Sequence, residues 1–367
     1  MKKIRHLLGI SGGKDSAALA IYMKDKYPHI DIEYYTCDTG KELEETYLLI
    51  KNLEIYLGKK IELLRGVDDE NVNPFDQLLK NYGGYLPSAT SRWCTKKLKL
   101  DPFEKFIGND PVISYVGIRG DEEREGYISR KSNIQSIFPF RKNIWSEDVI
   151  SKMLVNTNLD QLFELNRSFP SAKNAERIEE VLLQPLSPNF SQQQKLNLLL
   201  DLGTKEFNEL VFAFLKTTNY PLAQEEKFAL TDNEDILVRD DIFKILRESG
   251  VGVPEYYNKV DFEVNGKTGQ YARSRSGCFF CFFQQKIEWV WLHEQHPEKF
   301  AKAMEYEKDG YTWCQDETLA DLIKPVRMQG IKEEYIKRLE RAGVTKKDWK
   351  DVVLDEAEEE GCAACFI

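Results

Sequence analysis

The 367-residue sequence has no apolar run approaching the roughly 20 residues that cross a bilayer. A helical membrane span is thereby excluded. The basic N-terminus leads into only a short apolar stretch, broken by Gly9. That is too short for a signal peptide, so a cytoplasmic chain with no membrane partner is expected. Basic excess is also missing: 51 Lys+Arg face 61 Asp+Glu, a net charge of -10. This argues against indiscriminate nucleic-acid binding but leaves room for a local basic groove. The seven cysteines are odd in number and the chain is long. Close cysteine pairs therefore point to metal or redox chemistry rather than a disulfide framework. Solenoid repeats and long low-complexity tracts are absent too. What remains is an ordinary globular mixture, 42% hydrophobic and 31% charged. The length suits two domains, or one large domain with an insertion.

The N-terminal third alternates strand and helix. Residues 3–10 form an apolar run that stops at Ser11-Gly12-Gly13, and Ala17 to Tyr27 follow with a helical pattern. A second strand fits Ile30 to Cys37, a helix Glu42 to Leu57, and a third strand Lys60 to Leu64. Pro111 to Ile118 is a further β-branched run. The pattern predicts an α/β fold with a parallel sheet covered by helices on both faces. Ligands of such sheets bind at the carboxyl ends of the strands, where Ser11, Asp38 and Arg119 fall. From about Met153 to Asp235 the chain becomes Leu- and Asn-rich without strand alternation, and reads as a helical insertion. Gln284 to Tyr306 reads as a Trp-rich helix.

Two constellations carry chemistry. Ser11-Gly12-Gly13-Lys14-Asp15-Ser16 lies between a strand and a helix N-terminus. Glycines there turn amides inward, serines add donors and Lys14 adds charge, all at the positive end of a helix. This binds phosphate, although the Walker A spacing is absent. Cys278 and Cys281 form a C-x-x-C among Phe279, Phe280, Phe282 and Phe283. Such a pair is half of a zinc site, a redox dithiol, or two ligands of an iron–sulfur cluster. His293 and His296 are poor further zinc ligands, because the second precedes Pro297.

S-G-G-K-D-S resembles the pyrophosphate loop of the ATP pyrophosphatase superfamily. Further segments are similar to its phosphoadenosine phosphosulfate (PAPS) reductase branch. They are Asp38-Thr39-Gly40 with Glu45-Thr46, Arg92-Trp93-Cys94-Thr95, Gly117-Ile118-Arg119 with Glu122, and Arg275-Ser276-Gly277-Cys278 with Cys281. The likeness is greatest to the DNA phosphorothioation proteins of the DndC/SspD type. It implies a Rossmann-like sheet of the adenine nucleotide alpha hydrolase-like kind. It also implies ATP and Mg²⁺ as cofactors, with an ATP-binding core over 1–150 and a helical insertion over 151–238. A C-x-x-C region over 239–325 completes the domain, and 326–367 form a helical extension with an acidic stretch.

By the same resemblance Ser11, Gly12, Gly13, Lys14 and Ser16 hold the β,γ-phosphates, and Asp15 braces the loop or approaches Mg²⁺. Asp38, Thr39 and Gly40 line the nucleotide, with Asp38 a second candidate for the metal. Arg119 and Arg124 stabilise developing charge. Cys94, Cys278 and Cys281 bind a [4Fe–4S] cluster, with Cys314 as candidate fourth thiolate; Cys37 reads as core. Cys362 and Cys365 form a tail dithiol behind six acids in residues 351–360.

The activity implied is an ATP-dependent adenylylating sulfurtransferase. It releases pyrophosphate, takes sulfur from a cysteine desulfurase or other donor, and modifies a nucleic acid, DNA before RNA, with other modification-complex subunits as further partners. The alternatives are PAPS or adenylyl-sulfate reduction and, outside enzymes, an ATP-sensing subunit. Lys96, Lys97, Lys99, Arg119, Arg124, Arg130, Arg273 and Arg275 are candidates to line the acceptor cleft.

Overall fold

Leu7 and Leu8 are both fully buried although adjacent on β1 (Arg5–Gly9). Neighbouring strand residues point to opposite faces, so this strand is covered on both sides. The computed structural model describes residues 3–122, 131–169, 174–308 and 310–343. In it β1 is the middle strand of a five-stranded, all-parallel sheet. The others are β2 (Ile32–Asp38), β3 (Ile61–Arg65), β4 (Val112–Tyr115) and β5 (Ile134–Ile137), in the order β3-β2-β1-β4-β5. The order reverses between β1 and β4, which places a crevice at their carboxyl ends.

One face presents Leu8, Tyr34, Ile113, Tyr115 and Ile137 to α1 (Lys14–Lys26) and α2 (Glu44–Leu57). The other presents Leu7, Tyr35, Cys37, Val112 and Ile134 to Phe103 and Ile107 of the helix Asp101–Ile107. The expected α/β architecture is therefore present. The expected insertion is helical, with helices at Leu159–Arg167, Ala175–Leu183, Gln192–Leu202 and Thr204–Leu215. Its buried Leu162, Leu182, Leu199 and Val211 join the same apolar cluster as Leu8.

Three features depart from expectation. β5 was not foreseen. The region beyond the insertion contains an antiparallel hairpin, β6 (Val260–Val264) and β7 (Lys267–Tyr271), turning at Asn265 and Gly266 with φ of 50° and 72°. The stretch expected to be helical over Gln284 to Tyr306 is so, but as two helices, Lys286–Gln295 and Pro297–Glu305. Pro297 lacks the N–H that would continue the first helix, and begins the second instead. A second apolar cluster joins these helices to the hairpin through Trp289, Trp291, Phe300 and Phe262. Among the described residues no helix is long and apolar enough to cross a membrane.

Buried polar contacts tie the insertion to the sheet: Leu222 N–H donates to Gln135 Oε1 of β5 at 3.1 Å, and Asn233 Nδ2 to the Pro139 carbonyl at 2.7 Å. Trp145 Nε1 donates to Asn208 Oδ1 at 2.8 Å, and neither residue is more than 1% exposed. Trp145→Phe removes the indole N–H together with part of the ring, and strands the amide oxygen, which alone costs about 1–3 kcal/mol. Urea unfolding should show that loss; a change under about 0.5 kcal/mol would remove Asn208 from the account.

Candidate functional site

The turn from β1 into α1 is built by its own side chains. Ser11 N–H donates to Ser16 Oγ at 3.1 Å, and the two hydroxyls lie 3.0 Å apart. Ser16 Oγ also donates to the Gly13 carbonyl at 3.2 Å, and Gly13 N–H donates to Ser11 Oγ at 3.3 Å. Gly12 has φ of +75° and packs against the Thr46 methyl, leaving no room for a side chain. A Cβ at Gly13 would come within 2.6 Å of Ser276 Oγ. The Arg275–Cys278 segment thus lies over the loop, and the free backbone surface at Gly13 is a cradle that any side chain would fill.

Behind the loop is a network of buried charge. Lys14 and Arg119 are each 1% exposed. Asp15 lies between them, with Oδ1 accepting from Arg119 Nη1 at 3.0 Å and Oδ2 3.2 Å from Lys14 Nζ. Arg119 also meets Asp121 at 2.9 Å and Glu122 at 2.7 Å. Of the two roles expected for Asp15, bracing is the one this geometry supports, since both its oxygens face cations. Arg119 is one of the two arginines expected to stabilise charge developing on the phosphorus or on its acceptor. It sits among three carboxylates, where it positions the loop. Arg124 and Arg130 lie outside the described residues, as do Cys362 and Cys365.

At the end of β2, Asp38 Oδ1 accepts from Gly40 N–H at 2.8 Å and from Tyr47 Oη at 3.0 Å. Its Oδ2 faces Arg65 Nε at 3.8 Å. Thr39 Oγ1 donates to Glu42 Oε1 at 2.5 Å and lies 3.2 Å from Cys278 Sγ. Phe279 N–H donates to the Lys41 carbonyl at 2.8 Å. The D-T-G and C-x-x-C segments, distant in sequence, therefore share a wall of one site.

Cys94, Cys278 and Cys281 are half-buried in this wall. Burial raises the Cys278 thiol pKa first, and negative charge at Glu42, Cys281 and Cys94 raises it further. Burial also raises that of Cys281, against an opposing pull from Arg275, Arg273 and Lys99. Cys314 is buried beside Trp313, which stacks on Phe280 at 4.7 Å. Burial pushes its pKa up to about 12, and the charges acting on it most are Lys286, Glu317, Glu307 and Asp316. Among the described residues no three His, Cys, Asp or Glu side chains form a group that could hold a metal ion. Of the three thiolates expected to bind a cluster, Cys94 and Cys281 are near enough for their charge to bear on Cys278, whereas the charges acting most on Cys314, the candidate fourth, come from other residues. Cys37 is core: it is buried on β2, with Sγ 3.7 Å from the Lys99 carbonyl.

Two tyrosines complete the site without any prior signal from a motif. Tyr256 Oη donates to the Gly12 carbonyl at 3.0 Å, and Lys14 N–H donates to Tyr257 Oη at 3.3 Å. Lys14 Nζ lies 5.2 Å from the centre of the Tyr257 ring. Adjacent tyrosines before a strand are what a core also contains, so only the folded contact distinguishes them.

No family model matches the sequence. The uncharacterized protein MJ0066 of Methanocaldococcus jannaschii is 36% identical over 154 residues, covering 38% of this chain and 30% of that protein. The match thus spans less than a third of the relative's length. No solved structure matches.

The buried network makes a direct demand. Arg119→Met leaves carboxylates from three residues short of a cation, and should destabilise the fold by about 3–5 kcal/mol. Arg119→Lys should recover only part, because an ammonium cannot serve three carboxylates in a plane. Equilibrium urea unfolding reads both; a loss below about 1 kcal/mol for the Met variant would contradict the bracing role.

Proposed function

We propose that the chain is an ATP pyrophosphatase of the PAPS reductase-like branch, with an adenine nucleotide alpha hydrolase-like sheet. It adenylylates a nucleic-acid backbone phosphate and prepares it for sulfur insertion, as in DNA phosphorothioation. One observation carries the reading. The S-G-G-K-D-S turn stands at the β1/β4 switch point with Lys14 buried, and the R-x-G-C-x-x-C segment is packed over it.

The chemistry follows from which groups line the loop. An acceptor phosphate oxygen attacks the α-phosphorus of ATP. A new P–O bond forms, the α–β bridge breaks, and pyrophosphate leaves with the electron pair. Amides at Gly12 and Gly13, the Ser11 and Ser16 hydroxyls and Lys14 hold the leaving pyrophosphate. Asp15 keeps Lys14 and the loop in register through its bond to Arg119. Asp38 is the carboxylate that would approach Mg²⁺, because Asp15 is already held by two cations. Mg²⁺ when bound neutralises the phosphate oxygens, and typically needs only one or two carboxylates besides them. Thr39 and Gly40 border the same pocket, next to Cys278. Sulfur then comes from a cysteine desulfurase or other donor.

With Mg²⁺, duplex DNA and a sulfur donor, the full chain should release pyrophosphate from ATP. Lys14→Ala should slow release by about 10²-fold or more while leaving assembly with partner subunits intact. A wild-type chain that releases no pyrophosphate sinks the proposal. Liberation of sulfite from PAPS with a thiol reductant would move the reading to sulfonucleotide reduction. Loss of assembly on Lys14→Ala, with no turnover in wild type, would move it to an ATP sensor.

A further inference from the structure

Two guanidinium groups from distant segments each lie within about 6 Å of the centre of one ring. Arg92, of the R-W-C-T segment, has its Cζ 5.0 Å from the centre of Phe283, and Arg275 has its Cζ 5.9 Å from the same centre. Like charges repel, and neither guanidinium has an ion-pair partner among the described residues, which leaves a place for an anion. Arg275 Nε and Nη1 are buried and meet no hydrogen-bond partner among the described residues. Arg92 is exposed and spends only Nε, on the Ala89 carbonyl at 3.0 Å. Arg273, 1% exposed, donates to the Cys278 carbonyl at 3.0 Å but leaves its own Nε unpartnered. Charge at Arg275, Arg273 and Lys99 all bears on the Cys281 thiol. Ser276, next to Arg275, touches the loop at Gly13.

We infer that Arg92 and Arg275 form an oxyanion subsite that holds a phosphodiester of the acceptor beside the Cys281 thiol. The oxyanion chemistry stands on two guanidiniums with donors to spare and no ion pair among the described residues; naming its source as the acceptor backbone rests on the proposed function. Two features favour a polymer over the nucleotide's own phosphates. Arg92 opens the subsite to solvent, where a backbone can lie along it. The Gly13–Lys14 cradle, on the other side of Ser276, already provides for pyrophosphate. A planar fork suits a phosphate diester with two free oxygens.

The test uses the full chain without turnover. Fluorescence anisotropy with a labelled DNA duplex should show binding weakened about tenfold in Arg275→Gln and about threefold in Arg92→Gln. The slope of log K against log salt should fall by about one for each. Arg275→Lys should keep the wild-type salt slope yet bind more weakly, which separates lost charge from misfolding. ATP affinity, measured by equilibrium dialysis, should stay within about twofold of wild type throughout. Unchanged DNA affinity in both Gln variants overturns the inference, as does a parallel fall in ATP affinity. If wild type binds no DNA, the acceptor assignment falls independently of the subsite. Inorganic phosphate protecting Cys281 from alkylation in wild type, but not in Arg275→Gln, then identifies free phosphate as the ligand. Absence of that protection as well removes the subsite.

Discussion

The buried contact between Asp15 and Arg119 fixes the geometry of the carboxyl edge of the sheet. Asp15 is in the first turn of α1, while Arg119 follows β4, the neighbouring strand across the switch point. Removing two charges from water is expensive, and their attraction compensates only when geometry and further hydrogen bonds are good. Here Arg119 is met by three carboxylates and Asp15 by two cations, so each charge is answered. Asp121 Oδ2 also accepts from Arg239 N–H at 3.3 Å, at the start of the helix that resumes the core after the insertion. One guanidinium therefore sets the loop, the end of β4 and the point of return. Gly117 allows this closeness, since a Cβ there would stand 2.9 Å from the Asp15 carbonyl.

A second constraint is the division of charge across the cysteine pair. Cys278 lies against Thr39 and feels Glu42, whereas Cys281 feels Arg275, Arg273 and Lys99. Two thiols three residues apart thus sit in opposite fields. Burial disfavours the thiolate at both, but only at Cys281 does the local charge oppose that effect. The aromatic wall of Phe279, Phe280 and Phe75 limits water on this side. Any anionic sulfur or phosphate is better accommodated at the Cys281 end.

Much of this was legible in the sequence because it is local. β1 to β4 announce themselves as apolar runs punctuated by glycine or proline, and the phosphate loop by six consecutive residues. β5 escaped because Ile134-Gln135-Ser136-Ile137 is four residues long and half polar, although all four are buried. The hairpin carried a turn signal, Asn265-Gly266, but its strands mix Glu, Lys, Thr and Gln on the exposed face. The surroundings of Arg119 were not legible for a different reason. A motif places an arginine at the site, but whether it faces ligand or carboxylate depends on Asp15, Asp121 and Glu122 meeting in three dimensions. Tyr256 and Tyr257 were invisible on the same ground, since their partners are some 240 positions away, and the contact of Ser276 with Gly13 could not be read from its motif either.

The tyrosines also bear on how the loop meets a ligand. Lys14 N–H, at the opening of α1, is one of the amides that a phosphate would use, and here it donates to the Tyr257 hydroxyl. A buried amide left without an acceptor is costly, so the phenol satisfies it when no anion does. A phosphate oxygen is the stronger acceptor, because a charge-assisted bond exceeds a neutral one about twofold. Exchange of one for the other therefore favours binding without stranding a donor in either state. The Tyr257 ring stays beside Lys14 Nζ in the meantime, and Tyr256 holds the Gly12 carbonyl outward. The same two tyrosines thus hold both ends of the turn, one at its carbonyl and one at its amide.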